Sequence, residues 1–109
     1  MRCVVTLLAA CSVSFDATVK LWDAAAGRVR HTLAKHTAMV YSAAFSPDGE
    51  LLVSGSSDRN VFVWSTRDGS LLRTFTAPGG VFEVNFDSTG DRVVACCSNS
   101  TVAVIDLRV

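Results

Sequence analysis

Three tripeptides close β-like runs at a nearly constant step. Leu21-Trp22-Asp23, Val63-Trp64-Ser65 and Val104-Ile105-Asp106 set Trp22, Trp64 and Ile105 42 and then 41 residues apart. Other landmarks keep the step: Asp16, Asp58 and Asn99 align, as do Ser14, Ser56 and Cys97, while Gly27 matches Gly69. The turn Phe45 to Gly49 (FSPDG) matches Phe86 to Gly90 (FDSTG). A self-similarity of this period fixes the architecture more tightly than any local motif, because each copy must be one supersecondary unit stacked on its neighbours.

The copies consist of short β-branched and aromatic runs broken by turn signals, with no helix-period stretch of ten residues, so the period implies four-stranded sheets arranged as propeller blades. Strands are expected near 9–14, 18–23, 28–33, 40–46, 51–56, 60–65, 71–75, 81–87, 92–98 and 101–107. Pro47-Asp48-Gly49 and Thr89-Gly90-Asp91 suit tight turns between first and second strands, and Arg67-Asp68-Gly69 suits one between third and fourth. Val61 and Val63 fall on one face of their strand, Phe62 and Trp64 on the other. With both faces apolar, such a sheet must be sandwiched between two others.

Half of the 109 residues are apolar and 18% are charged, a balance that buries surface and excludes a disordered chain. Ten basic and ten acidic residues cancel and are interleaved, which argues against direct nucleic-acid binding or an anionic membrane surface. No apolar run nears the ~18 residues of a membrane span. Cys3, Cys11, Cys96 and Cys97 lack the C-x-x-C spacing and histidine partners of a zinc site, so no metal and no cofactor is expected, and reduced thiols in an intracellular protein are the expected state. The stretch from Met1 to Cys11 imitates a short lipoprotein signal, yet it falls into register with a later strand of the repeat.

Lys35-His36, then Phe45-Ser46-Pro47-Asp48-Gly49, Ser54-Gly55-Ser56-Ser57-Asp58 and Val63-Trp64 follow one another in an order and spacing that resembles the WD40 family. His31-Thr32-Leu33, Val40-Tyr41-Ser42, Gly79 to Val84 and Asp106-Leu107-Arg108 are similar, more narrowly, to the carboxy-terminal blades of the transducin β-like corepressor subunits. The resemblance implies an all-β, partial WD40 β-propeller of about two and a half four-stranded antiparallel blades, not a closed ring. Residues 1–34 would be an incomplete blade with its second to fourth strands, 35–76 a complete blade, and 77–109 a terminal blade lacking its outer strand. On this reading the chain is a piece of a larger ring, ending as the carboxy end of such a ring would.

The resemblance also implies a buried structural network of His36, Ser56, Asp58 and Trp64, in which Asp58 orients His36, which meets Ser56, which reaches the indole. The first blade would keep Ser14, Asp16 and Trp22, and the last would have lost the network, with Ala77, Cys97, Asn99 and Ile105 at the four sites. Ser56, His36 and Asp58 are also the residue types of a serine hydrolase. A network consumed inside a packed sheet, however, leaves no cleft, no oxyanion hole and no route for substrate, so no catalytic residues are expected. Partners of such propellers meet one rim, here Phe15, Met39, Tyr41, Ser57, Gly80, Phe82 and Ser98, with Lys35 and Arg59 close by.

The expected function is a non-enzymatic protein-interaction scaffold, similar to a transducin β-like subunit of nuclear transcriptional corepressor complexes, with corepressor or histone-type proteins or peptides as partners. The alternative from another class is a truncated structural remnant with no independent activity. A ring fragment exposes two blade faces, so self-association is expected unless further blades are supplied.

Overall fold

A computed structural model describes residues 2–5, 9–13, 16–23 and 27–108. Eleven strands occur among them: β1 (Arg2–Val5), β2 (Ala9–Val13), β3 (Val19–Asp23), β4 (Arg28–Leu33), β5 (Val40–Phe45), β6 (Leu51–Ser56), β7 (Asn60–Ser65), β8 (Leu71–Thr76), β9 (Val81–Phe86), β10 (Arg92–Cys97) and β11 (Val102–Asp106). No helix occurs among the described residues, and so none that is long and apolar enough to cross a membrane. The strands form three antiparallel sheets, ordered β1-β2-β3-β4, β5-β6-β7-β8 and β11-β10-β9, and the sheets do not close a ring.

The first sheet corrects the expectation for residues 1–34. Arg2–Val5 pairs antiparallel with β2 through Arg2↔Ser12 and Val5↔Ala10, giving this sheet a fourth, leading strand. A short β-branched run beside an open sheet edge satisfies its backbone groups by pairing, although it carries none of the repeat's landmarks. Cys11, on β2 beside this added strand, is disulfide-bonded, which corrects the expectation of reduced thiols there; Cys96 and Cys97 are free.

Turn chemistry repeats with the strands. Gly49, Gly69 and Gly90 take φ of 75°, 74° and 79° at hairpin tips, and each amide donates back, to Ser46, Ser65 and Asp87 O. Between second and third strands the left-handed residue is Ala17, Arg59 and Ser100, each just after Asp16, Asp58 or Asn99. Those three side chains accept hydrogen bonds from the residue two places on, Thr18, Asn60 and Thr101, and so stabilise a turn that a non-glycine residue adopts at a cost.

The core is two layers between three sheets. Cys11, Val13, Val19 and Leu21 of the first sheet pack with Leu52, Phe62 and Trp64 of the middle one. Val53, Val61 and Val63 on the other side of the middle sheet pack with Val84, Val93 and Ala95 of the third. The middle sheet is therefore dry on both faces, which the alternation in β7 requires.

Candidate functional site: a buried polar chain and an aromatic rim

Across the middle sheet, the Trp64 indole Nε1 donates to Ser54 Oγ at 2.9 Å, Ser54 Oγ lies 2.8 Å from His36 Nε2, and His36 Nδ1 lies 3.0 Å from Asp58 Oδ2. The ends of this chain fix its direction. Indole N–H can only donate and an ionised carboxylate can only accept, so Ser54 donates to Nε2 and the neutral ring donates from Nδ1. Burial holds His36 below its ordinary value of 6.5, against the opposing pull of Asp58. Burial pushes Asp58 the other way, but the N–H groups of Thr37 and Asn60 and the His36 ring outweigh it, so its pKa is lowered. The Phe62 ring lies against His36 at 4.3 Å between centroids.

The serine in this chain is Ser54, which corrects the expectation of Ser56. Trp64 stands opposite Leu52 in the β6–β7 register. Ser54 is one diagonal step along β6, about 7 Å, whereas Ser56 on the same face is four residues away, about 13 Å at ~3.3 Å per residue. Ser56 instead donates to Ala38 O and accepts from Asp58 N, fastening the loop ahead of β5 to the β6–β7 turn. Its hydroxyl is committed to that loop, and the hydroxyl that does meet His36 is 0% exposed.

The first sheet repeats the geometry. Trp22 Nε1 donates to Ser12 Oγ at 3.1 Å, with Trp22 opposite Ala10, so Ser12 takes the place expected of Ser14, which lies outside the described residues. Asp16 is exposed and accepts from the amide and hydroxyl of Thr18. In the third sheet the aligned residue is Ala95, not Cys97, and the aligned indole is replaced by Ile105. Serine and tryptophan are thus kept together twice and lost together once. The series Ser14, Ser56 and Cys97 shows the same pattern, so covariation within the chain does not separate the two serines; the register that sets Trp64 opposite Leu52 does.

At one end of the sheets lie the expected rim residues. Ser57 N donates to Met39 O in the middle sheet, and at the aligned place in the third Ser98 N donates to Gly80 O. The two ends adjoin, since a β-carbon on Gly80 would lie 3.5 Å from Ser57 Cα. Tyr41 and Phe82 meet edge to face with centroids 5.1 Å apart. Tyr41 and Met39 are half-buried, Ser57, Ser98, Lys35 and Arg59 are exposed or partly so, and Phe82 is 51% exposed. Phe15 lies outside the described residues.

Comparison with known proteins gives matches to the family described as WD domain, G-beta repeat, over residues 27–65 and 69–106. Each match opens on the fourth strand of one sheet, β4 or β8, and runs through the first three strands of the next. The chain is 52% identical over 97 residues to the F-box-like/WD repeat-containing protein TBL1X of Mus musculus, covering 89% of this chain and 18% of the relative. It is 43% identical over 97 residues to the WD40 repeat-containing protein HOS15 of Arabidopsis thaliana, covering 89% of this chain and 16% of that protein. Eukaryotic translation initiation factor 3 subunit I of Vanderwaltozyma polyspora is 33% identical over 84 residues, or 77% of this chain and 24% of that one. The chain thus spans less than a fifth of the length of the first two relatives.

Proposed function

The chain belongs to the WD40 family, and on that premise we propose that it is a non-enzymatic protein-interaction scaffold whose partners contact the rim of Met39, Tyr41, Ser57, Phe82 and Ser98. Phe82 carries the reading: an aromatic ring 51% exposed, braced edge-on by Tyr41 and set on a rigid sheet end, has the character of an interface anchor. The closed hydrogen-bond chain of Trp64, Ser54, His36 and Asp58 supports the non-enzymatic part, because its polar groups are spent on one another. Residues 1–34, 35–76 and 77–109 act as the successive blades of the platform. Corepressor or histone-type proteins are the partners and the nucleus the location, a reading supported by the similarity to TBL1X and HOS15.

Titration calorimetry with corepressor segments and histone-tail peptides tests the proposal. The unaltered chain binds at least one of them, and Phe82→Ala weakens that affinity about tenfold or more, ~1.4 kcal/mol, with an unchanged unfolding midpoint. Failure of every peptide to bind, or equal binding by Phe82→Ala and Tyr41→Ala, overturns it.

A further inference from the structure

At the end of the middle sheet opposite the rim, two hairpin turns are tied into one piece. Thr66, in the β7–β8 turn, donates from its amide to Glu50 O at 3.1 Å and from its hydroxyl to Gly49 O at 2.8 Å, which fastens it to the β5–β6 turn. From the first sheet, His31 Nε2 donates to Arg67 O at 3.3 Å and secures the same loop. A cavity of about 470 Å³ opens at this junction, within the roughly 300 to 1,000 Å³ of small-ligand sites. All of its lining comes from the middle sheet and the two turns, and that sheet has four strands and a neighbour on either side.

The lining is apolar below and acidic above a common stem length. Leu51 is half-buried and Leu72, on the outer strand, is 51% exposed. Three exposed carboxylates, Asp48, Glu50 and Asp68, stand against one cation, Arg67, which forms an ion pair with none of them. Hydrogen bonds from Ser46 and the Glu50 amide hold the Asp48 carboxyl below its ordinary range, and Ser70 does the same for Asp68, so both are ionised at neutral pH. A metal ion is not the complement, because no three His, Cys, Asp or Glu among the described residues stand close enough to hold one. An organic cation on a methylene stem is: the stem covers leucine while the charged head stays at the carboxylates.

We propose that this cavity receives a lysine or arginine side chain of a basic peptide segment, its stem on Leu51 and Leu72 and its charge among Asp48, Glu50 and Asp68. The site lies at the far end of the strands from Met39, Tyr41 and Phe82, so the rim proposal neither needs it nor falls with it.

Proton–nitrogen correlation spectra of the 109-residue chain, titrated with the capped pentapeptides Gly-Ala-Arg-Ala-Gly and Gly-Ala-Lys-Ala-Gly, read the site amide by amide. The amides of Glu50, Thr66, Arg67 and Asp68 shift and saturate, and those of Ser57 and Ser98 at the rim stay in place. A peptide with citrulline in place of arginine, equal in shape and uncharged, shifts none of them. Glu50→Gln combined with Asp68→Asn weakens the basic peptides about tenfold, while Leu72→Ala, which leaves every charge in place, weakens them about threefold. The asparagine keeps an acceptor oxygen for Ser70 and so preserves the turn. Absence of saturable shifts at the four amides with both basic peptides overturns the proposal. So do equal binding of the citrulline peptide, an unchanged affinity in the carboxylate double variant, and shifts centred on Ser57 and Ser98 instead. If the double variant loses the dispersed spectrum of a folded chain, Glu50→Gln alone, at an exposed side chain, decides by the same measure: about threefold weaker binding supports the site and equal binding overturns it.

Discussion

Gly55 and Val81 approach so closely across the interface of the middle and third sheets that a β-carbon on the glycine would stand 2.5 Å from Val81 Cγ1 and 2.8 Å from Val84 Cγ1. The aligned position is Val13 in the first sheet and Cys96 in the third, so the repeat as such does not demand glycine. This one contact does.

Gly55→Ala therefore overpacks a dry interface and lowers stability by about 1 to 3 kcal/mol. Denaturant unfolding measures the loss. Val81→Ala in the same chain removes the nearer of the two clashing methyls, and the double variant is less destabilised than the sum of the two singles.

Ser54→Ala removes the acceptor of the Trp64 indole and the donor to His36 inside a packed sheet. The orphaned groups cost about 1 to 3 kcal/mol. In a double-mutant cycle with Trp64→Phe the two changes couple by about 0.5 kcal/mol or more, whereas Ser56→Ala with Trp64→Phe is additive.

Asp58 accepts from Thr37 N at 2.9 Å, Asn60 N at 2.8 Å and the His36 ring. Asp58→Ala strands all three donors and lowers the unfolding free energy by about 1 to 3 kcal/mol, while Asp58→Asn, which keeps an acceptor oxygen, loses less. Equal losses in the two variants would show that the carbonyl oxygen of an amide does not stand in for the carboxylate.

Stability should fall on the acid side of the ordinary histidine pKa. Folding lowers the pKa of His36, so between the folded value and 6.5 the unfolded chain binds the extra proton and the folded one does not. The contribution is fully present above 6.5 and declines as pH drops through that window. Asp58, also lowered by folding, adds a second loss below the usual carboxylate range, where the unfolded side chain protonates first. Unfolding free energy measured against pH shows the first slope in the unaltered chain and not in His36→Gln.

Strand positions were legible because Val, Ile, Phe and Trp alternate between turn residues, and the period then checked each assignment against its copies. Arg2–Val5 was not legible: it is a four-residue run whose pairing with β2 shifts register between Arg2 and Val5, and no landmark of the repeat falls on it. The polar chain was legible in its residue types and not in its serine. Burial does not tell the two candidates apart, since Ser54 and Ser56 share one face and both are buried. Only the pairing of Trp64 with Leu52 separates them, and strand register is a property of two segments together. The adjoining of the loop ends that carry Met39, Ser57, Gly80 and Ser98 was legible because the period brings them side by side.

The displacement of the sequence unit from the sheet has a mechanical consequence. Each stretch of 27–65 and 69–106 finishes the border of one sheet with β4 or β8 before it starts the next, so the backbone itself sews neighbours together like a lapped seam. Adding a unit hems the paddle before it and leaves its own hem undone. Among the described residues β11 is that undone hem, the place where one more length of extended chain would be gripped.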